Sequence, residues 1–290
     1  MKKFMALLMA AVMCASVLTA CGNDSAASES TAASESATES TAVESTAVES
    51  TEDADVAEES TEAVSTEKDV LVFGTNAEFP PFEYLGDDGE PDGFDIALIK
   101  AIGEKMGVEV EIQNMEFASL VAATGTKIDG VIAGLTVTDE RKEAVDFSDA
   151  YYEAVQYVIV PTDSSIATAD DLKNKTIGVQ LGTTGMFIAE EIEGATVQSY
   201  NKAVDAVNDL NNGRVDLVII DRNPAEVFVS KFPDKIVAME GAQFGFEAEE
   251  YAIALPKGSD LVEQVNTALA ELKADGTFDA LVAQYIGEAE

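Results

Sequence analysis

The 290-residue chain has no histidine and no tryptophan, and its only two cysteines, Cys14 and Cys21, lie near the N-terminus. Beyond Cys21 there is no thiol for a disulfide, no Cys or His to ligate a transition metal, and no member of a His- or Cys-dependent catalytic triad. Neither a metal nor a cofactor is expected. Basic residues are scarce too: Lys and Arg number 17 against 55 Asp and Glu, for a formal net charge of −38. Nucleic-acid binding needs Lys and Arg clustered on one face, which this balance argues against. Arginine occurs only as Arg141, Arg214 and Arg222, so each one calls for a reason. Residues 4–17 form an apolar run too short to span a bilayer, which takes about 20 residues.

That run follows Lys2 and Lys3 and leads through small residues into Leu18-Thr19-Ala20-Cys21. A basic start, a short apolar centre and small residues read as a secretion signal. Residues 1–20 resemble a bacterial lipoprotein signal, which implies that Cys21 becomes the first mature residue and carries diacylglycerol, with palmitate as a further acyl chain. Stable anchoring needs more than one chain, since each buried CH₂ contributes only ~0.8 kcal/mol. Residues 21–68 are then read as a tether. Up to Glu67 they are mostly Ser, Thr, Ala, Val and Glu, with near-repeats such as Glu44-Ser45-Thr46-Ala47-Val48-Glu49-Ser50-Thr51 and no Lys, Arg or aromatic. Such a segment cannot bury enough apolar surface to offset chain entropy and is expected to be disordered, with a span on the order of 40 Å.

The remaining residues read as two copies of one plan. Val70-Leu71-Val72-Phe73 is a buried-strand run breaking into Gly74-Thr75-Asn76, and an amphipathic helix follows at 95–106, with Leu98, Ile99, Ile102 and Met106 at helical spacing and Gly107 as its stop. In the second half Thr176-Ile177-Gly178-Val179 is the strand, and Gly182-Thr183-Thr184-Gly185 the turn into a helix. Lys127-Ile128-Asp129-Gly130-Val131-Ile132-Ala133-Gly134 is echoed by Gly213-Arg214-Val215-Asp216-Leu217-Val218-Ile219-Ile220-Asp221. Strands alternating with helices and apolar on both faces give an α/β fold of two lobes, with mostly parallel sheets flanked by helices.

Ligands of such sheets bind beyond the carboxyl ends of the strands. The residues there are 76–79, 134–141, 182–184 and Asp221. Gly-Thr steps into helix starts offer free N–H groups and hydroxyls to an anion, although Gly and Thr serve ordinary turns and caps equally well. Thr138 or Asp139 as a helix cap leaves Arg141 in the first turn, where the dipole disfavours a cation; the plain alternative is an exposed arginine paired with Glu143 or Asp139. Asn223 as N-cap with Pro224 at the first helical position explains that helix start without Asp221. A cation in one lobe and an anion in the other form the charge pattern of a zwitterion clamp.

The segment from Thr136 to Ser148, with Tyr151-Tyr152 behind it, closely resembles the signature of the polar amino-acid-binding proteins of ABC importers, solute-binding protein family 3. Gly74-Thr75-Asn76-Ala77-Glu78-Phe79-Pro80-Pro81-Phe82-Glu83-Tyr84, Gly93-Phe94-Asp95, Gly182-Thr183-Thr184 and Gly213-Arg214-Val215-Asp216 match in order, so the resemblance covers nearly all of 70–287. It implies the type II periplasmic-binding-protein-like fold, with lobe 1 at 69–157 and 252–290, lobe 2 at 158–251, and two hinge crossovers near 157–160 and 251–255. It implies a ligand-binding set of Asn76, Glu78, Phe79, Phe117, Ala133, Gly134, Thr136, Arg141, Gln180, Thr183, Thr184 and Asp221. In that set Arg141 clamps the ligand carboxylate, Thr136, the Gly134 backbone and Thr183 or Thr184 complete the carboxylate and ammonium contacts, and Asp221 accepts from the ammonium. Phe79 and Phe117 would sandwich the ligand side chain, although by composition each reads as core. A guanidinium suits the clamp because its planar fork gives two parallel charge-assisted bonds.

Three departures matter. Several relatives carry a carboxylate where Asn76 stands, those that take acidic or amide ligands carry a basic residue near Gln180, and the link at 122–127 is about one residue short, for which a local loop change is expected. Glu78 beside Asn76 and Phe79 suggests a ligand with a cationic side chain. The expected protein is a monomeric binding module that captures a free polar α-amino acid on the extracytoplasmic face of a bacterial membrane. It would be held there only through lipidated Cys21 and would deliver its ligand to a permease driven by a cytoplasmic ATPase. The alternative is an enzyme of the same fold, dehydratase-like and acting on a small carboxylic acid, with Glu78 as its acid.

Overall fold

The computed structural model describes residues 68–287. The signal, Cys21 and the tether up to residue 67 lie outside the described residues. Val70–Thr75 is the second strand of a five-stranded sheet, parallel to the edge strand Glu109–Asn114 on one side and to Gly130–Val131 on the other. A second sheet repeats the arrangement, with Thr176–Gln180 between Thr196–Tyr200 and Leu217–Asp221, all parallel. The doubled plan of the sequence is therefore real down to strand order, in which Val70–Thr75 and Thr176–Gln180 each lie second from an edge, between two parallel neighbours. Among the named strands, parallel pairing is confined to these three-strand groups at one edge of each sheet. Ala254–Pro256 runs antiparallel to Gly130–Val131 and Val145–Phe147, and Tyr152–Pro161 runs antiparallel to Leu217–Asp221 and Ile236–Glu240. These strands carry the chain between sheets without a helical crossover, which is the requirement that keeps parallel neighbours apart in sequence.

The helix Phe94–Met106 packs Leu98, Ile99 and Ile102 inward and ends on Gly107 in the left-handed region at φ 73°. Gly93, just before it, has φ 124°, and a Cβ there would sit 2.3 Å from the Phe82 carbonyl oxygen. Only glycine permits so close an approach. It brings Asp95 against the small antiparallel meander formed by Glu78–Phe79, Glu83–Leu85 and Pro91–Asp92.

The paired crossovers differ from expectation. The ladder that joins the sheets is Tyr152–Val155 against Ala248–Tyr251, so its first strand lies before the expected 157–160. Residues 157–160 instead form the interior of the second sheet, where Val158 and Ile159 are fully buried; apolar residues on both faces belong to a covered sheet rather than to a hinge. Where the ladder meets the first sheet, Phe82 packs edge-on against Tyr152 and Tyr251 at 4.9 and 5.2 Å. The link at 122–127 closes through a bridge between Thr124 and Ile128, with Gly125 at φ 76°.

Candidate functional site

A narrow pocket lies beyond the carboxyl ends of the parallel strands of both sheets, where α/β folds place their ligands. It is lined by Phe79, Phe117, Ala133, Gly134, Thr136, Arg141, Gln180, Thr183, Thr184 and Asp221. Every lining residue belongs to the set named from the sequence. Two of that set, Asn76 and Glu78, do not line it.

Arg141 sits in the helix Asp139–Ala144, whose N-cap Thr138 accepts the Arg141 backbone N–H at 3.1 Å. The side chain is buried rather than exposed, and Lys142, not Arg141, pairs with Asp139. Its guanidinium donates to the Thr136 carbonyl at 2.5 Å and, across the cavity, to the Gly182 carbonyl at 3.0 Å, and lies 5.7 Å from the centre of the Phe117 ring. Burial lowers its pKa to about 10, with Glu249 and Asp221 opposing the shift. A cation whose bonds go to neutral carbonyls keeps its charge for a ligand.

Asp221 ends the strand Leu217–Asp221, and the following helix is Arg222–Lys231. Asp221 itself occupies the cap position expected for Asn223, and Pro224 lies inside the first turn, where its missing N–H is no loss. The Asp221 side chain makes no cap bond. It has a structural partner all the same: the fully buried Tyr251 hydroxyl donates to it at 2.6 Å. Burial pushes the Asp221 carboxyl up to about 7, the Tyr251 hydrogen bond works against that shift, and Glu249 adds to it.

The hydroxyls around the cavity are already engaged. Thr183 caps the helix Thr184–Glu191, accepting from Met186 N–H and donating to the Gln180 carbonyl at 2.8 Å. Thr136 and Thr184 both donate to one oxygen of Glu249, at 3.0 and 2.8 Å. The Gly134 N–H is spent on Asp95 at 2.7 Å, leaving only its carbonyl for the cavity. Gly134 holds φ 50°, and a Cβ there would crowd the Phe79 ring at 3.2 Å.

Glu78 is turned away. It pairs with Lys202 of the opposite half at 2.5 Å, so its negative charge is matched by a cation before any ligand arrives. Asn76 is buried between Met115, whose carbonyl it donates to, and Gln180, whose Nε2 donates to its Oδ1 at 2.8 Å. Gln180 Nε2 also reaches the Asn201 carbonyl at 3.1 Å.

Under the cavity lies a second acidic pair. Asp95 and Glu83 are both fully buried; one Asp95 oxygen accepts from Gly134 N–H and the Tyr151 hydroxyl, while the other and both Glu83 oxygens have no donor. Burial first, and then the neighbouring Asp95 charge, holds the Glu83 carboxyl well above the usual range. A protonated Glu83 donating to Asp95 removes two of the three vacancies. In the sequence Glu83 and Asp95 stand only as members of matched motifs, and Gln156 and Glu249 are unmarked. Gln156 was legible as a polar residue inside an apolar strand, whereas Glu249 is one acid among Glu247, Glu249 and Glu250.

A two-lobed α/β fold with a cleft lined by one buried cation and one buried anion defines a solute-binding protein. The chain belongs to the bacterial extracellular solute-binding proteins, family 3, which match it over residues 71–288. It is similar to the arginine-binding extracellular protein ArtP of Bacillus subtilis (strain 168), at 38% identity over 218 residues, 74% of this chain and 85% of ArtP. It is also similar to the L-cystine-binding protein TcyJ of Escherichia coli (strain K12), at 34% identity over 226 residues, 76% of this chain and 84% of TcyJ. Among solved structures, an ancestral arginine-binding protein bound to arginine superposes with a TM-score of 0.72 at 40% identity, covering 76% of this chain and 99% of that one. These are binding proteins, and the chain is a binding protein rather than an enzyme.

Proposed function

We propose that the chain is the lipid-anchored substrate-binding component of an ABC importer, which takes a free polar α-amino acid into the cleft, closes on it and hands it to the permease. One observation carries this reading: Arg141 and Asp221, of opposite charge and from opposite walls, are both buried and line one pocket. A zwitterion satisfies both at once, and a buried charge left unpaired is costly. The carboxylate is taken by the Arg141 fork and by the free first-turn N–H of Thr184, and the ammonium by Asp221. The side chain lies between Phe79 and Phe117 toward Gln180, whose Nε2 is already committed, so the free oxygen favours a side chain with N–H donors. Glu78, paired with Lys202, does not call for a cationic side chain on the ligand. The names of ArtP and TcyJ support amino acids as the solute class.

The anchor through Cys21 rests on the Leu18-Thr19-Ala20-Cys21 run alone. A thermal-shift panel of the twenty amino acids tests the solute. A ligand at 100 times its Kd adds about 2.7 kcal/mol, or roughly 5–10 °C for a body of this size. No shift with any of them would sink the reading.

A further inference from the structure

Tyr251 does not line the pocket, yet it holds the acid that does. It ends the strand Ala248–Tyr251 of the ladder that joins the two sheets, and packing fixes where its ring goes. The residue is fully buried, with Phe82 edge-on at 5.2 Å and the Tyr152 ring at 5.7 Å. Gly134 is so near that a Cβ there would sit 3.3 Å from the Tyr251 ring. The backbone is bridged to Thr136, and its carbonyl accepts from Tyr151 N–H at 2.9 Å. A side chain packed on so many sides cannot turn to another acceptor. Its hydroxyl goes where the fold puts it, 2.6 Å from one oxygen of Asp221, whose carboxyl caps nothing on its own helix.

We propose that Tyr251 is a positioning residue, aiming the Asp221 carboxylate and keeping it charged. The surroundings otherwise push a proton onto Asp221: burial does so first, and Glu249, on the same face of the strand as Tyr251, adds to it. Against them the Tyr251 hydrogen bond comes ahead of the help from Gln156. The other neighbours are committed elsewhere. Arg141 stands on the opposite wall with its bonds on carbonyls, Arg222 is turned to Glu226 at 2.9 Å, and Tyr152 donates to Asn223 at 2.9 Å. Glu83 is a buried acid that the Asp221 charge itself helps to keep protonated. Burial, and then the Asp221 charge, hold the Tyr251 hydroxyl well above its usual range, so it remains a donor. A hydrogen bond given to the charged form favours that form. The consequence for an ammonium rests on the amino-acid reading, whereas the hold on Asp221 does not.

In the test, full-length protein without ligand carries carbon-13 at aspartate Cγ and tyrosine Cζ and is titrated by NMR. The Asp221 signal is the one that Asp221→Asn removes, and the Tyr251 signal the one that Tyr251→Phe removes. Tyr251→Phe raises the Asp221 midpoint by about one pH unit or more. Tyr152→Phe, which deletes the neighbouring hydroxyl bound to Asn223, leaves that midpoint in place. In wild type the Tyr251 signal shifts through the Asp221 midpoint. With the amino acid identified by the thermal-shift panel, Tyr251→Phe weakens binding about tenfold near pH ~6 and less than about twofold near pH ~8.5. An Asp221 midpoint unmoved by Tyr251→Phe, in protein that still melts cooperatively, overturns the proposal. So does a wild-type Tyr251 signal that stays flat through the Asp221 midpoint, or an equal loss of affinity at both pH values. A raised midpoint in protein that no amino acid stabilises sinks the amino-acid reading and leaves the hold of Tyr251 on Asp221 standing.

Discussion

Glu83 and Asp95 in the first half of the chain, and Asp221 in the second, are all carboxyls taken out of water, and all are held above their usual range by that burial. The first two face each other and need no third party, since one proton shared between them turns two like charges into a donor and an acceptor. Asp221 accepts from the Tyr251 hydroxyl, with Gln156 also favouring its charged form, and faces the pocket rather than a second acid. Burial alone therefore does not mark a functional acid. The missing partner does, and here the partner missing from Asp221 is cationic.

The largest effect is expected at the clamp. Arg141→Ala or Asp221→Asn leaves its opposite number without its share of a bound zwitterion, which costs about 3–5 kcal/mol, a 100- to several-thousand-fold loss of affinity by calorimetry. Arg141→Lys fails as well, since an ammonium cannot reproduce the fork. At the self-sufficient pair the loss is of stability instead. Glu83→Ala strands an Asp95 oxygen and opens a void, about 2–4 kcal/mol and roughly 5–15 °C in Tm. Glu83→Gln keeps a donor in place and melts within a few degrees of wild type.

The two sites also respond oppositely to pH. Because the folded-state pKa of Glu83 is raised above its ordinary 4.5, folding retains a proton that the unfolded chain has lost. That contribution is full below about 4.5 and falls away as pH rises; Glu83→Gln should flatten the slope in a pH series of melts. In the closed cleft Asp221 sits near 7, and an ammonium ligand favours its ionised form. Binding therefore releases a proton, and affinity weakens as pH drops below about 7, by at most about tenfold per unit, a slope that Asp221→Asn abolishes. The smallest effect is at the rim. Glu78 and Lys202 form a partly exposed pair, worth about 0–1 kcal/mol, so Glu78→Gln should change affinity no more than about fivefold. A 100-fold loss would put Glu78 back in contact with the ligand.

Much of this was legible in the sequence because strand-end chemistry is local. Thr136, Arg141, Thr184 and Asp221 stand immediately after apolar runs, and the doubled pattern placed both runs in equivalent sheets. What escaped depends on partners distant in the chain. Nothing local to Glu78 announces Lys202, 124 residues away, and Glu249 meets Thr136 across 113 residues. The apolar run at 157–160 carries no mark of which sheet receives it, and its pairing with Leu217–Asp221 decides that it is an interior strand and not a crossover.

The central claim is that Asp221 and Arg141 hold the two ends of one amino acid. Calorimetry with the amino acid identified by the thermal-shift panel and with its analogue lacking only the α-ammonium, each on wild type and on Asp221→Asn, measures this as a cycle. Removing the ammonium should cost wild type at least 100-fold and the variant no more than about tenfold, a coupling of ~1.4 kcal/mol or more. Equal losses on both proteins would show that Asp221 never meets the ammonium, and the clamp would be wrong.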